Sequence, residues 1–158
     1  MPSAYTSRTG IEKPATGEQS GTWGDTTNLN FDIIDTALNG VVTLSLSGTS
    51  SNLTTTDGTL SDGMNKMIIC GGSPSGTHTI TIVPSDAEKF YFVTNSSGES
   101  VIFSQGSGAN VTVADGESRI IHCDGQGATA AVTDYTSTLS SSTTFIDNQA
   151  TALAIALG

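Results

Sequence analysis

The feature that most constrains this chain is a change of hydrophobic period at Val41. From there Val42, Leu44 and Leu46 alternate with Thr43, Ser45 and Ser47. Successive strand side chains point to opposite faces, so such a run offers one face to a core and one to water. Further runs of this kind follow at Lys66–Cys70, Thr77–Val83, Phe90–Asn95, Ser100–Ser104, Asn110–Ala114, Glu117–Asp124 and Thr129–Asp134. Between them lie Gly71 to Gly76, Pro84 onward, Asn95 to Gly98, Gly106 to Gly108, Asp115-Gly116 and Asp124-Gly125. Asp115-Gly116 between two alternating runs is the strongest hairpin signal in the chain. Short strands so closely punctuated predict a mainly β fold, a β-sandwich or small barrel of about eight antiparallel strands over 41–135.

The flanks read differently. Residues 1 to about 28 lack apolar periodicity and carry Pro2, Pro14 and glycines at 10, 17, 21 and 24, which predicts an extended arm ordered where something covers it. A short helix is expected at about Leu29 to Leu38, capped from Asp25, Thr26, Thr27 or Asn28 and stopped by Asn39-Gly40. Phe31, Ile34 and Leu38 share one face of it, and three turns are marginal in water unless that face packs on something. Trp23, set among glycines, reads as an anchor for a neighbouring chain. Residues 1–40 thus form an arm with a helix. Residues 136–158 form a Ser/Thr linker and an apolar carboxyl-terminal segment, whose Phe145, Ile146, Leu153 and Leu157 are expected at an interface between subunits.

Charge narrows the partners. Net charge is −10, and the five cations Arg8, Lys13, Lys66, Lys89 and Arg119 are scattered. Phosphate backbones need clustered cations, so neither nucleic acid nor an anionic membrane surface is an expected partner. No window approaches the ~20 apolar residues of a membrane span, and the start has no apolar signal core, so folding in a cytoplasm without a secretion route is expected.

Motifs for chemistry are weak. Gly72-Ser-Pro-Ser-Gly76 has Pro where a nucleophile elbow needs its serine, and Gly106-x-Gly108 does not continue as a dinucleotide motif. Asp57-Gly58 and Asp62-Gly63 read as turns rather than calcium loops. Cys70, His78, His122 and Cys123 are the remaining constellation. His122 and Cys123 are adjacent on a strand and point to opposite faces, which argues against a shared zinc. A Cys–His nucleophile lacks a third, orienting group, and both cysteines read as small buried hydrophobes, free or bonded. Neither an enzyme nor a cofactor is expected.

One stretch carries a resemblance. Gly17-Glu-Gln-Ser-Gly-Thr-Trp23-Gly-Asp-Thr-Thr-Asn28-Leu-Asn30-Phe-Asp-Ile-Ile34-Asp-Thr-Ala-Leu38-Asn-Gly40 has a Gly-x-Trp-Gly core, a pair of asparagines and an Ile/Leu-rich helix ending in Gly. It resembles the amino-terminal segment of tail-fibre-like virion proteins of tailed bacteriophages. Ile80 to Pro84, Phe90 to Asn95, Gly98, Val101 to Phe103, Gly106, Gly108, Val111, Val113, Asp115-Gly116 and Ile120 to Gly125 are similar to a β-module of phage appendage proteins. The resemblance implies a virion structural protein, assembled in the host cytoplasm as a homotrimer, with the arm attaching to other virion proteins of the tail, baseplate or capsid. Tail fibres normally continue into a long receptor-binding tip, whereas this sequence ends at Gly158. A short trimeric fibre or a fibre or baseplate attachment protein is therefore expected first, a capsid decoration protein second. A carbohydrate-binding module facing a host cell-surface glycan is the third reading, carried by Phe90, Tyr91 and Phe92 on one strand.

Overall fold

The structure, a computed structural model, describes residues 2–136. It is mainly β, with three sheets and one α-helix among the described residues. The apolar carboxyl-terminal segment, with Phe145, Ile146, Leu153 and Leu157, lies outside the described residues.

The amino-terminal arm is folded rather than extended. β1 (Ala4–Tyr5) and β2 (Glu12–Lys13) pair antiparallel. The turn between them docks on the body: Gly58 donates its N–H to the carbonyl of the buried Gly10 at 2.7 Å. The Tyr5 ring lies in the space that a Cβ on Gly58 would need. Arg8 pairs with Glu88. Asn30 ties the arm to the helix by accepting from Glu12 N–H at 2.9 Å and donating to Glu12 O at 2.8 Å.

Helix α1 runs Trp23–Asn39, about two turns longer than the periodicity predicts. Trp23 is its first residue, and Thr22 precedes it at the N-cap without a side-chain cap bond. Asp25, Thr26, Thr27 and Asn28, expected as caps, lie inside the helix, where Thr27 donates back to Trp23 O. The stop falls as expected at Gly40, whose Cβ-free backbone passes the Thr36 carbonyl too closely for any side chain.

The β-body differs from an antiparallel sandwich in its winding. β3 (Val41–Leu46), β5 (Met67–Gly72) and β7 (Lys89–Asn95) lie side by side and parallel. β4 (Ser50–Thr54), β6 (His78–Val83) and β8 (Val101–Ser104) do the same in the facing sheet. The chain therefore alternates between two sheets, one strand in each per coil. Val41 stacks on Met67 and Met67 on Phe92, so each coil takes about 25 residues, within the 20–45 typical of solenoid repeats. Only the last strands reverse. β9 (Val111–Val113) is antiparallel to β8, β10 (Ser118–Cys123) to β7, and β11 (Val132–Asp134) to β10. The sheet orders are β11-β10-β7-β5-β3 and β4-β6-β8-β9. Neither sheet closes into a barrel.

Asp115-Gly116 consequently makes no hairpin: it carries the chain from one sheet to the other, since β9 pairs with β8 and β10 with β7. Its chemistry is still that of a turn. Glu117 N–H bonds Ala114 O, and Gly116 holds φ at 78°. A turn motif specifies the bend; which strands pair afterwards is decided by the core between the sheets. That core is a single cluster including Leu46, Leu53, Ile68, Ile80, Tyr91 and Phe103.

Candidate assembly surface

α1 buries one residue, Ile33. On a face turned away from it stand Trp23, Phe31, Ile34 and Leu38, which are 65, 62, 40 and 66% exposed. At 3.6 residues per turn they fall within about 80° of the helix circumference, a narrow seam rather than a core-facing belt. The helix packs against the single turn Asp62–Met64 (η1) and the β2 strand, and the described residues leave the seam largely exposed, Ile34 least so. Phe31, Ile34 and Leu38 are brought together as the sequence predicts, and Trp23 joins them from the first turn. Beside Trp23 a cavity of about 400 Å³ opens against Pro14 to Ser20.

A second apolar surface continues past the helix, and the sequence reading did not assemble it. On the outer face of the five-stranded sheet, Val41 stands beside Met67, Met67 beside Phe92 and Phe92 beside Ile120. Val41, Phe92 and the neighbouring Phe90 are exposed. A shallow cavity of about 390 Å³ lies over Met67, Phe92 and Ile120, with Arg119 and Thr136 at its margin. The row was hidden because its members come from four strands, which the parallel register of β3, β5 and β7 and the antiparallel pairing of β10 align.

Next to it sits a cluster of rings. Phe90 stacks on His122 with centroids 4.4 Å apart, and Tyr135 approaches both at 5.7 and 5.9 Å. His122 Nε2 lies 3.4 Å from Glu88 Oε1 without forming a hydrogen bond. The Arg8 guanidinium holds the exposed Glu88 carboxyl below its usual range. Tyr91 faces inward and donates to Gly63 O at 2.7 Å, so of the three alternating aromatics only Phe90 and Phe92 reach the surface.

The four Cys and His residues do not converge. His122 is on the outer face and Cys123 is in the core, on opposite sides of one strand as their adjacency requires. His78 is fully buried and bonded through its ring to Ser51 Oγ at 2.9 Å and Gly48 O at 3.2 Å. Cys70 and Cys123 are free thiols, and burial pushes each up to about 12. A thiol so protonated is a weak nucleophile. Among the described residues no three or more His, Cys, Asp or Glu are grouped to hold a metal ion, and no helix is long and apolar enough to cross a membrane. What the arrangement offers is contact: an apolar helix seam continuous in sequence with an apolar sheet face. Compared with protein-family models, curated proteins and solved structures, the chain finds no match in any of the three.

Proposed function

We propose that this chain is a structural protein of a bacteriophage virion, a short tail fibre or fibre or baseplate attachment protein, and not an enzyme. Copies associate, as a homotrimer, through the α1 seam, and residues 1–40 join the assembly to other virion proteins. The observation that carries the reading is the seam itself: four large apolar side chains exposed on one face of a 17-residue helix. Placing them against the same seam of other copies removes them from water, at roughly 1.5–3 kcal/mol for each fully buried large side chain. Symmetric oligomers are the common way to achieve this. The resemblance of residues 17–40 to phage fibre arms supplies the biological setting.

Light scattering of the purified full chain tests the assembly. The expected mass is a multiple of three chains, and the threefold factor is lost when F31S/L38S makes the seam polar. A single-chain mass for the unaltered protein overturns the reading. Gold-labelled antibody on intact particles tests the place: label confined to the tail or its base is expected, and label over the head converts the reading to capsid decoration. The exposed Phe90, Phe92 and Tyr135 favour one second reading, a glycan-facing shelf where sugar rings stack on aromatic faces. It stands if a glycan array binds the protein and not F90A/Y135A, and it fails if the array is silent.

A further inference from the structure

The solenoid has two ends, and they are built differently. At one, the chain reverses and seals the coils with the antiparallel strands β9, β10 and β11. At the other, β3 and β4 are the outermost strands of their sheets, each paired on one side only. The backbone groups turned outward there follow from those turned inward. Gly40 O and Leu46 O accept from the next coil at Met67 and Ser73, so the even residues of β3 face β5 and Val41, Thr43 and Ser45 face out. Thr49 O accepts from Thr79 N–H and Thr55 N–H donates to Val83 O, so in β4 it is Ser50, Asn52 and Thr54 that face out.

Such edges template further strands, and proteins blunt them with charge, proline or a covering element. Among the described residues charge and proline are absent from both edges, and the one covering element, η1, reaches only the Thr54 end of β4. From Thr36 to Thr56 the sequence has no charged residue and no proline, within a chain of net charge −10. Between the two strands a cavity of about 270 Å³ reaches down to Leu44 and Leu46, with Asp62 the one carboxylate on its rim.

We infer that this open end is an interface with the same end of a second copy, β3 adding to β3 and β4 to β4. The two-strand geometry selects the occupant. A lone extended peptide satisfies one edge and leaves the other bare about 10 Å away, the usual spacing of facing sheets. A second copy presents two strands at that same spacing. A twofold axis normal to the sheets reverses both the stacking direction and the strand direction, so each new pair is antiparallel and the contact is self-complementary. Charge agrees: neither edge strand carries a charged residue, so copies of an acidic chain meet there without a like-charge pair between the strands. The inference uses none of the α1 seam residues and does not depend on the function proposed above.

The test uses the full chain carrying F31S/L38S, so that association through the seam is removed. Sedimentation and light scattering are expected to give twice the chain mass at micromolar concentration. Adding T43K/N52K, which puts a cation on each edge, is expected to halve that mass with the melting temperature and circular dichroism unchanged. T43P, which deletes an outward donor without adding charge, serves where the lysine variant is unfolded. Single cysteines placed at 41, 43 and 45 in turn are expected to yield a same-residue disulfide dimer for at least one, which a twofold axis permits and head-to-tail stacking does not. The inference is overturned by a single-chain mass in the F31S/L38S protein, or by a dimer that survives T43K/N52K. It is also overturned if a chain ending at Thr136 dimerises while the full chain does not, since residues 137–158 then occupy the edges. A mass unchanged between the unaltered protein and F31S/L38S sinks the seam, and leaves the edges to be judged by T43K/N52K alone.

Discussion

Lys89 is a charged residue whose placement costs the fold. It opens β7, points inward, and is 9% exposed opposite Cys123. Burial pulls its ammonium down to about 8 from the ordinary 10.5. Between those values the unfolded chain holds a proton that the folded chain has released, so stability rises with pH across about 8 to 10.5. Below 8 the lysine is charged in both states and the full penalty stands. At ~1.4 kcal/mol per pH unit, Lys89→Met is expected to stabilise the protein at pH 7 by roughly 3 kcal/mol and to remove the rise. The thiols act oppositely above pH 9, where the folded chain keeps protons that the unfolded chain loses. Urea midpoints of both proteins at pH 7 and 9.5 decide it; a destabilised variant with the same pH slope refutes the account. Asn95 is the counterpart, a buried polar group whose bonds are all made. Its amide donates to Glu99 O at 2.8 Å and Val113 O at 2.9 Å, and its oxygen accepts from Ser97 N–H and Ser97 Oγ. Asn95→Leu leaves the buried Val113 carbonyl and Ser97 N–H and the partly buried Glu99 carbonyl without this partner, with an expected loss of about 2–4 kcal/mol in chemical denaturation.

At the scale of elements, the parallel ladders depend on positions where no side chain fits. Gly72 ends β5 at φ 93°, and a Cβ there would lie 2.4 Å from Leu46 O, in the strand it pairs with. Gly72→Ala is expected to lower stability by about 2–4 kcal/mol, through strain and a pushed-apart β3, measured by thermal or urea unfolding. An effect below half a kcal/mol would mean that the edge strand yields freely. The same elements show what a sequence can and cannot specify. Strand positions were legible because alternation reports a half-buried face, and β5 to β11 begin and end close to where alternation puts them. β4 was missed: Ser50, Ser51 and Asn52 are polar on both faces because this edge strand buries only Leu53. Winding was illegible, since alternation is identical for parallel and antiparallel pairs and a Gly turn serves a hairpin or a corner equally. The helix seam was visible in Phe31, Ile34 and Leu38. That Ile33 alone would be its buried residue was not, because periodicity finds an apolar face without naming what lies beneath it.

For the whole molecule the governing quantities are an excess of negative charge and the apolar and unpaired surfaces set within it. Copies that meet through the α1 seam or the open solenoid end bring together bodies of charge −10, so association works against a repulsion spread over the surface. Few ion pairs are available to reverse the sign. Arg8 and Arg119 are engaged within the chain, on Glu88 and on Glu117 and Asp134, and Lys89 is buried. Raising ionic strength from about 10 mM to 0.15 M shortens the Debye length from ~30 to ~8 Å, which screens that repulsion while leaving apolar contact and backbone pairing intact. Association of the full chain is therefore expected to tighten with salt, the dissociation constant falling several-fold over that range, and to tighten again as the pH is lowered toward the pI of about 4.1. Sedimentation equilibrium in a salt series measures it. An interface held by ion pairs would loosen instead, and that result would move the contact away from both uncharged surfaces to one that carries the remaining cations.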